Sequence, residues 1–227
     1  TNSSSDLSQR TPGLTLPMPG GRHVVTMDIS HYMVCGVLDD GSIACWSQYG
    51  GGQTPSLRNF FSSSNPARDV STGRYSACGL MENGNVTCWG TGWLGTGGAS
   101  QSAGPGLIWP NFGSGRTAVH VELGRKHNCA LLDNGVVKCW GDDSYGQMGN
   151  GAGSSNKNTP TSVSFASGVV VQDIIAGQWH TCIATQTNEM YCWGDGVYGK
   201  LGDGASSQNN QAGSGAKVNH FSGSNPV

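Results

Sequence analysis

The 227-residue chain has few charged side chains, no long apolar run and no helical periodicity. Charged residues make up 11% of it, the formal net charge is −2, and the lysines and arginines form no basic run. Because nucleic-acid binding needs a positive field, this composition argues against a nucleic-acid partner. No apolar stretch approaches the ~18 residues of a membrane-spanning helix, so we also expect no membrane span.

The motifs of common enzymes and metal sites are missing as well. No serine lies in a Gly-x-Ser-x-Gly context, and no carboxylate pair stands out. His127 and His180 each lie two residues before a cysteine, but Met33 and Ser76 take that place elsewhere, which a required ligand set would not allow. We therefore expect a structural role for these histidines, no metal, no cofactor and no enzymatic activity.

Acidic residues in glycine-rich loops leave calcium binding as an alternative. Asp142, Asp143, Asp195 and Asp203 lie in such loops, and calcium prefers carboxylate and carbonyl oxygens. The four do not form a spaced acidic motif, so the favoured interpretation is solvated loop carboxylates.

What the chain does contain is one pattern repeated four times: a cysteine, nine residues, and then Cys-Trp. The copies use all eight cysteines, at Cys35 and Cys45, Cys78 and Cys88, Cys129 and Cys139, and Cys182 and Cys192. A constant period of about fifty residues is typical of a repeat array, in which each unit packs mainly against its neighbours.

Each pair of cysteines encloses a hairpin signal. The turn triplets are Asp39-Asp40-Gly41, Glu82-Asn83-Gly84, Asp133-Asn134-Gly135 and Gln186-Thr187-Asn188. They predict three-residue loops whose last residue has positive φ, which Gly adopts without strain and Asn tolerates. Counting outward from each turn places the two cysteines opposite each other, where a cross-strand disulfide can close. Zinc ligation is the alternative, but the chain has no Cys-x-x-Cys.

The tryptophan after each second cysteine points to the other face of its strand, because side chains alternate. Four such tryptophans predict a core layer repeated between stacked sheets: Trp46, Trp89, Trp140 and Trp193. An alternating segment precedes each hairpin, and a glycine-rich loop and a last strand follow it, at residues 55–61, 105–112, 160–165 and 216–221. Four four-stranded sheets in an all-β chain indicate a propeller-type fold.

The repeated text resembles the repeat of the regulator of chromosome condensation (RCC1) family. The matching string is His-x-Cys-Ala-Leu, an Asn-Gly turn, Val-x-Cys-Trp-Gly and a Tyr-Gly-Gln-Leu-Gly-like loop. Residues 124–151 match almost throughout, residues 177–204 match well, and the first two units are weaker. The resemblance implies a β-propeller-type array in one domain from 14 to 227, with units of about 22–61, 66–112, 117–166 and 169–221. It does not specify a function.

The family implies a closed ring of seven blades, whereas this chain has four complete units. The segment with Leu14, Leu16 and Met18 is predicted to be the last strand of a preceding unit, and the strand with Val218 and Phe221 completes the fourth. One strand is therefore redundant. The chain forms a closed four-bladed ring, an open arc completed by another subunit, or an array that passes the strand to a neighbour and grows into a filament.

Four disulfides predict an oxidising, extracellular location, since reducing compartments do not keep them. The chain shows no signal peptide at Thr1, so we expect a mature secreted protein whose leader was removed. Asn2 and Asn85 begin triplets that are candidate glycosylation acceptors. We expect residues 1–13, which are rich in serine, to be flexible or ordered by a partner.

Two functions follow. The first is a non-catalytic extracellular scaffold that acts through protein contacts, including self-association with other copies by strand exchange. The alternative is a lectin that binds a glycan through a rim of loop aromatics, one per unit: Tyr49, Trp93, Tyr145 and Tyr198. Such aromatics also anchor protein partners, and the favoured interpretation is that each fills the gap to the next blade.

Overall fold

A computed structural model describes residues 16–47, 54–58, 65–95, 97, 109–151 and 155–204, and the backbone of Ala216–Lys217. This part of the chain consists of β-strands, loops and two single-turn 3-10 segments, with no α-helix. No helix within it is long and apolar enough to cross a membrane.

The strands fall into four antiparallel sheets, which we call blades 1 to 4. Within each blade the strands pair in chain order, as a meander. Blade 1 contains β1 (Val24–Ile29), β2 (Met33–Leu38), β3 (Ile43–Ser47) and β4 (Ser56–Arg58), and blade 2 contains β5 (Ala67–Thr72), β6 (Ser76–Met81) and β7 (Val86–Gly90). Blade 3 contains β8 (Ala118–Leu123), β9 (His127–Leu132), β10 (Val137–Gly141) and β11 (Lys157–Ser162), and blade 4 contains β12 (Val171–Ala176), β13 (His180–Thr185), β14 (Met190–Gly194) and β15 (Ala216–Lys217).

The hairpin register and the disulfides are as predicted. Each pair of cysteines lies directly across the central hairpin of its blade. The Cα atoms of each pair are 4.0 to 4.1 Å apart, and all four disulfides are formed, in keeping with the short spacing of a non-hydrogen-bonded site. The turn residues have the predicted positive φ, including the Asn188 of the deviant fourth turn at 59°.

The two faces of each blade pack against different neighbours. The cysteine face of one blade and the tryptophan face of the next share a buried apolar cluster. The three junctions join Cys35 and Cys45 to Trp89, Cys78 and Cys88 to Trp140, and Cys129 and Cys139 to Trp193. The predicted tryptophans therefore pack in the junctions between neighbouring blades.

The first strand of each blade is the innermost. These strands pack in chain order, β1 against β5, β5 against β8, and β8 against β12, and β12 and β1 form no comparable pair. Each also carries a register shift at the same place, next to Val25, Arg68, Val119 and Gln172. A β-bulge bends its strand and increases its twist. No glycine or proline marks these bulges, so the sequence does not reveal them.

Three predicted strands differ from the structure. Leu16, Pro17 and Met18 form no strand, and Pro17 and Pro19 lack the N–H groups that a ladder needs. In blade 3 the last strand begins at Lys157, not at Pro160, because the strand lies at the edge of the sheet, where a proline is tolerated. In blade 2 residues 109–112 form no strand, and residues 101–108 lie outside the described part.

Candidate interaction surfaces

The four blades share one cavity at the end of their innermost strands. Its volume is about 460 Å³, and each blade contributes the end of its first strand and the turn that follows. The lining consists of Ile29, Ser30 and His31, then Thr72, Gly73 and Arg74, then Leu123, Gly124 and Arg125, then Ala176, Gly177 and Gln178. A glycine recurs at one position of these turns, at Gly73, Gly124 and Gly177, but only the fold shows that the turns meet at one cavity.

Backbone hydrogen bonds hold neighbouring turns of this cavity in place. The Arg74 N–H donates to the Arg125 carbonyl at 3.4 Å, and the Arg125 N–H donates to the Gln178 carbonyl at 3.1 Å. A Cβ at Gly124 would lie 2.5 Å from the Gly177 carbonyl oxygen and 2.1 Å from the His127 ring. Glycine is thus required there by the close approach of the next turn.

Both arginines of the cavity pack on aromatic rings. The Arg74 guanidinium lies 4.9 Å from the centre of the Tyr75 ring and donates to the Tyr32 hydroxyl at 3.2 Å. The Arg125 guanidinium lies 4.7 Å above the Trp179 ring. Each Nε is buried without a hydrogen-bond partner, and neither arginine has a carboxylate within ion-pair distance in the described residues.

Further along the innermost strands, His120 joins blades 3 and 4. Its Nδ1 lies 2.6 Å from an Asp173 oxygen and its Nε2 lies 3.0 Å from a Glu122 oxygen. The hydrogen bond to Glu122, with the Asp173 carboxylate adding to it, raises the pKa of His120 to about 9 against the opposing effect of burial. Burial raises the pKa of Glu122, and the carboxylates of Asp28 and Asp69 act in the same direction. The imidazolium therefore neutralises part of an acidic interior.

The two histidines predicted to be structural are enclosed by the blades. His127 is fully buried, and its Nε2 lies 2.9 Å from the Thr181 hydroxyl of blade 4. That hydroxyl donates its own proton to the Gln147 carbonyl, so His127 is the donor to Thr181. Burial lowers the pKa of His127 to about 3. Burial also lowers the pKa of His180, although no other described blade covers it on that side.

The acidic loop residues shape their own loops. Asp142 accepts from the N–H and hydroxyl of Ser144, Asp143 accepts from the Met148 N–H, and Asp195 pairs with Lys200. Asp142, Asp143 and Asp195 are buried, so the expectation of solvated carboxylates is wrong for them. No group of metal-ligating side chains occurs among the described residues.

The predicted aromatic rim is not a single row of equivalent residues. Tyr145 is half-buried against the Trp179 ring, 5.2 Å between centres, whereas Tyr198 is 92% exposed. Trp93 takes a different place: its carbonyl accepts from Asn128, as the Gln147 carbonyl accepts from Thr181. Asn128 and Thr181 are equivalent positions, so Trp93 corresponds to Gln147, two residues after Tyr145. The loop of blade 2 is shorter, so residue type alone does not reveal this correspondence. Tyr49 lies outside the described residues.

Blade 1 has an uncovered tryptophan face. Met27 is 58% exposed and Ile29 is 72% exposed, whereas their equivalents Val70 and Leu123 are 3% and 5% exposed. Trp46 is only partly buried, whereas the other three tryptophans of the layer are buried. The face that seals every internal junction is therefore open to solvent at this end.

Blade 4 has an uncovered cysteine face. Met190 is 47% exposed and its equivalent Val137 is fully buried. Ile175, which lies opposite Cys182 on this face, is also exposed. The row of blades thus ends in two apolar surfaces of complementary kind.

Some of the remaining predicted residues belong to the described part of the chain and others do not. Asn85 is exposed after its hairpin turn, and Thr87 of its acceptor triplet is buried in β7. Leu16 is exposed and Met18 is half-buried. Asn2, Leu14, Val218 and Phe221 lie outside the described residues.

Comparison with known proteins relates three of the four blades to one repeat family. A family model described as the regulator of chromosome condensation (RCC1) repeat matches residues 67–92, 118–147 and 171–200, and a second RCC1 repeat model matches residues 134–184. Blades 2, 3 and 4 therefore match the RCC1 repeat, and the fold is that of an RCC1-type β-propeller array. The models leave blade 1 unmatched, in agreement with its weak resemblance.

Particular relatives share only part of their length with the chain. Human E3 ubiquitin-protein ligase HERC2 is 34% identical over 95 residues, which are 41% of this chain and 2% of that protein. The ultraviolet-B receptor UVR8 of Arabidopsis thaliana is 34% identical over 93 residues, covering 40% of this chain and 21% of the receptor. The structure of Prp20p from Saccharomyces cerevisiae, a protein whose binding to Gsp1p and histones has been characterised, superposes with a TM-score of 0.69 at 20% identity, over 88% of this chain and 52% of Prp20p.

Proposed function

We propose that the chain is a non-catalytic scaffold that works by protein contact, and that its two uncovered blade faces are contact surfaces. The observation that carries this proposal is the contrast between Met27 at 58% exposure and its equivalent Val70 at 3%. At each internal junction the same kind of face is covered by another blade. Exposed apolar surface of this sort is typical of interaction sites.

An extracellular location is part of the proposal. All eight cysteines are paired within their own blades, and none is free. Such disulfides persist in oxidising compartments. Mass spectrometry of the protein isolated from its native source tests this point, since free thiols in all four pairs would contradict it.

Self-association is the most direct form of the contact. The cysteine face of blade 4 in one copy would pack on the tryptophan face of blade 1 in the next, in a head-to-tail arrangement. One position is mismatched. At the junction of blades 3 and 4, His127 donates to Thr181, but the equivalent of Thr181 in blade 1 is Val34, which would leave His180 without an acceptor. A buried polar group without a partner weakens a contact by about 1–3 kcal/mol.

Self-association can therefore be tested with one variant that should weaken it and another that should strengthen it. Met27→Glu places a charge on the contact face and should abolish association in sedimentation velocity at rising protein concentration. Val34→Thr supplies the missing acceptor and should strengthen association by about tenfold, since 1.4 kcal/mol corresponds to that factor. Val25→Glu and Val25→Thr are the controls, because Val25 is 68% exposed on the same strand but lies at the bulge.

A chain that stays monomeric at high concentration, with and without Val34→Thr, would rule out self-association. Equal responses to the Val25 and Val34 substitutions would rule out this geometry. The lectin alternative has no comparable support, because of the three described rim aromatics only Tyr145 and Tyr198 occupy equivalent positions.

A further inference from the structure

The two ends of the blades differ in the charge that they present to solvent. At the hairpin-turn end, Asp39, Asp40, Glu82 and Asp133 are exposed. At the cavity end, the loop carboxylates of Asp142, Asp143 and Asp195 are buried. The molecule, with a net charge of −2, therefore has an acidic end and an end where exposed carboxylates are scarce.

The turns that follow the innermost strands carry three cations with no carboxylate partner in the described residues: Arg74, Arg125 and Lys126. Near the hairpin turns, Arg22 pairs with Asp40 at 2.6 Å and Arg116 pairs with Asp133 at 3.6 Å, whereas Arg58 and Arg68 at that end have no carboxylate within ion-pair distance in the described residues. Three of the cations without a carboxylate partner therefore lie together around the cavity.

The surroundings of Arg74 and Arg125 favour recognition of a carboxylate. Each guanidinium lies over an aromatic ring, and each Nε is buried without an acceptor. Packing on a ring holds the planar group in one orientation, and its outward N–H groups form a fork that matches a carboxylate. No acidic side chain lines the cavity between them.

The cavity itself is mixed in character. Ile29, Leu123 and Ala176 give it apolar walls, and about 460 Å³ is within the usual range of ligand pockets. Three unpaired cations are too few for the salt-dependent contacts that nucleic acid requires. A peptide that carries acidic and apolar side chains matches both the cations and the walls.

We propose that the cavity end binds an acidic peptide segment of a partner protein, with its carboxylates on Arg74 and Arg125 and an apolar side chain inside the cavity. This site gives a partner chemistry to the scaffold role proposed above. It uses none of the residues that carry the argument for the blade faces except Ile29, so its failure would leave the self-association test unaffected.

Fluorescence polarisation with a labelled peptide of alternating Asp and Leu tests the proposal. We expect saturable binding that weakens with added salt, and a loss of at least tenfold when Asn replaces Asp in the peptide. Arg74→Gln and Arg125→Gln should each weaken binding about tenfold. The control Arg116→Gln removes the same charge at the opposite end and should leave affinity unchanged.

Further control measurements distinguish carboxylate recognition from loss of folding and from a general effect of charge. Thermal unfolding of each variant establishes that it is folded, and Arg74→Lys keeps the charge but loses the fork, so it should recover only part of the affinity. An amidated peptide distinguishes side-chain carboxylates from the terminal one. Absence of binding, equal binding of the Asn peptide, or an equal loss in Arg116→Gln would each overturn the proposal.

Discussion

The tryptophan faces of blade 3 and blade 1 are built from equivalent residues, but only the face of blade 3 is covered by another blade. Trp140 is fully buried against the cysteine face of blade 2. Trp46 occupies the same place in its hairpin, opposite Val34, yet it is only partly buried. A blade of this protein is therefore a unit with two apolar faces, and it is complete only when neighbours cover both, as expected for a repeat array.

The largest expected difference between these faces is in their tolerance of truncation. Trp140→Ala opens a cavity in a sealed junction and should lower the free energy of unfolding by about 3–5 kcal/mol. Trp46→Ala removes a ring that is already partly hydrated, so the loss should be less than half as large. Chemical denaturation of both variants under non-reducing conditions measures the difference. Equal losses would show that the face of blade 1 is covered in solution.

Two turn glycines give a second comparison, between a turn that contacts the next blade and one that does not. Gly41 and Gly135 both have positive φ, at 75° and 78°. A Cβ at Gly41 would lie 2.0 Å from the Cβ of Pro66, whereas a Cβ at Gly135 meets nothing within 4 Å.

Gly135→Ala should therefore lower the free energy of unfolding by about 1 kcal/mol, which is the cost of a Cβ at positive φ. Gly41→Ala should lower the free energy of unfolding by a further ~1–3 kcal/mol, because the added Cβ would overlap Pro66. Urea unfolding of the two variants gives both values, and a larger loss for Gly135→Ala would contradict the assigned junction.

The buried histidine of the covered junction should make the protein sensitive to acid. The pKa of His127 is about 3 when folded, against roughly 6.5 when unfolded. Only the unfolded chain takes up this proton between those values, so stability is complete above pH 6.5 and falls as the pH approaches 3.

Unfolding curves at several pH values compare the chain with His127→Gln and His180→Gln. In His127→Gln the introduced amide can still donate to Thr181 and does not titrate, so this variant should lose less stability in acid than the original chain. His180→Gln should change the profile less, because His180 is only half-buried at the uncovered face. The reverse ranking would mean that the blade 4 face is the better sealed.

The smallest expected effect concerns the charged contact between the innermost strands. The pKa of His120 is raised to about 9 in the folded protein. The contribution of this histidine to the free energy of unfolding is therefore complete below pH 6.5 and is lost as the pH rises through 9. His120→Gln should show a flatter unfolding profile over this range. Partial solvent exposure screens the interaction, so we expect a modest difference, and identical profiles would contradict the assigned ion pairs.

Much of the fold could be predicted because the relevant signals are local. The spacing of Cys35 and Cys45 around a turn determines their register, and Asn188 shows that the turn rule holds even without glycine. The rim of aromatics could not be predicted in the same way. Residue type places Trp93 with Tyr145, whereas its position depends on the loop length and on the contact with Asn128. The segment at Leu16 and Met18 forms no strand in the single chain, and its pairing with another copy stays a prediction, because a strand needs a neighbouring ladder as well as a favourable pattern.

From sequence alone follow the four hairpins, their disulfides and the alternation that separates a cysteine face from a tryptophan face, because each depends on residues within one unit and on the two-residue period of a strand. Only the tertiary structure decided which faces are sealed, which turns meet at one cavity, and which cations lack a carboxylate. Those properties arise from contacts between blades, such as that of Arg74 with Arg125, whose residues are too far apart in the chain for any local pattern to specify.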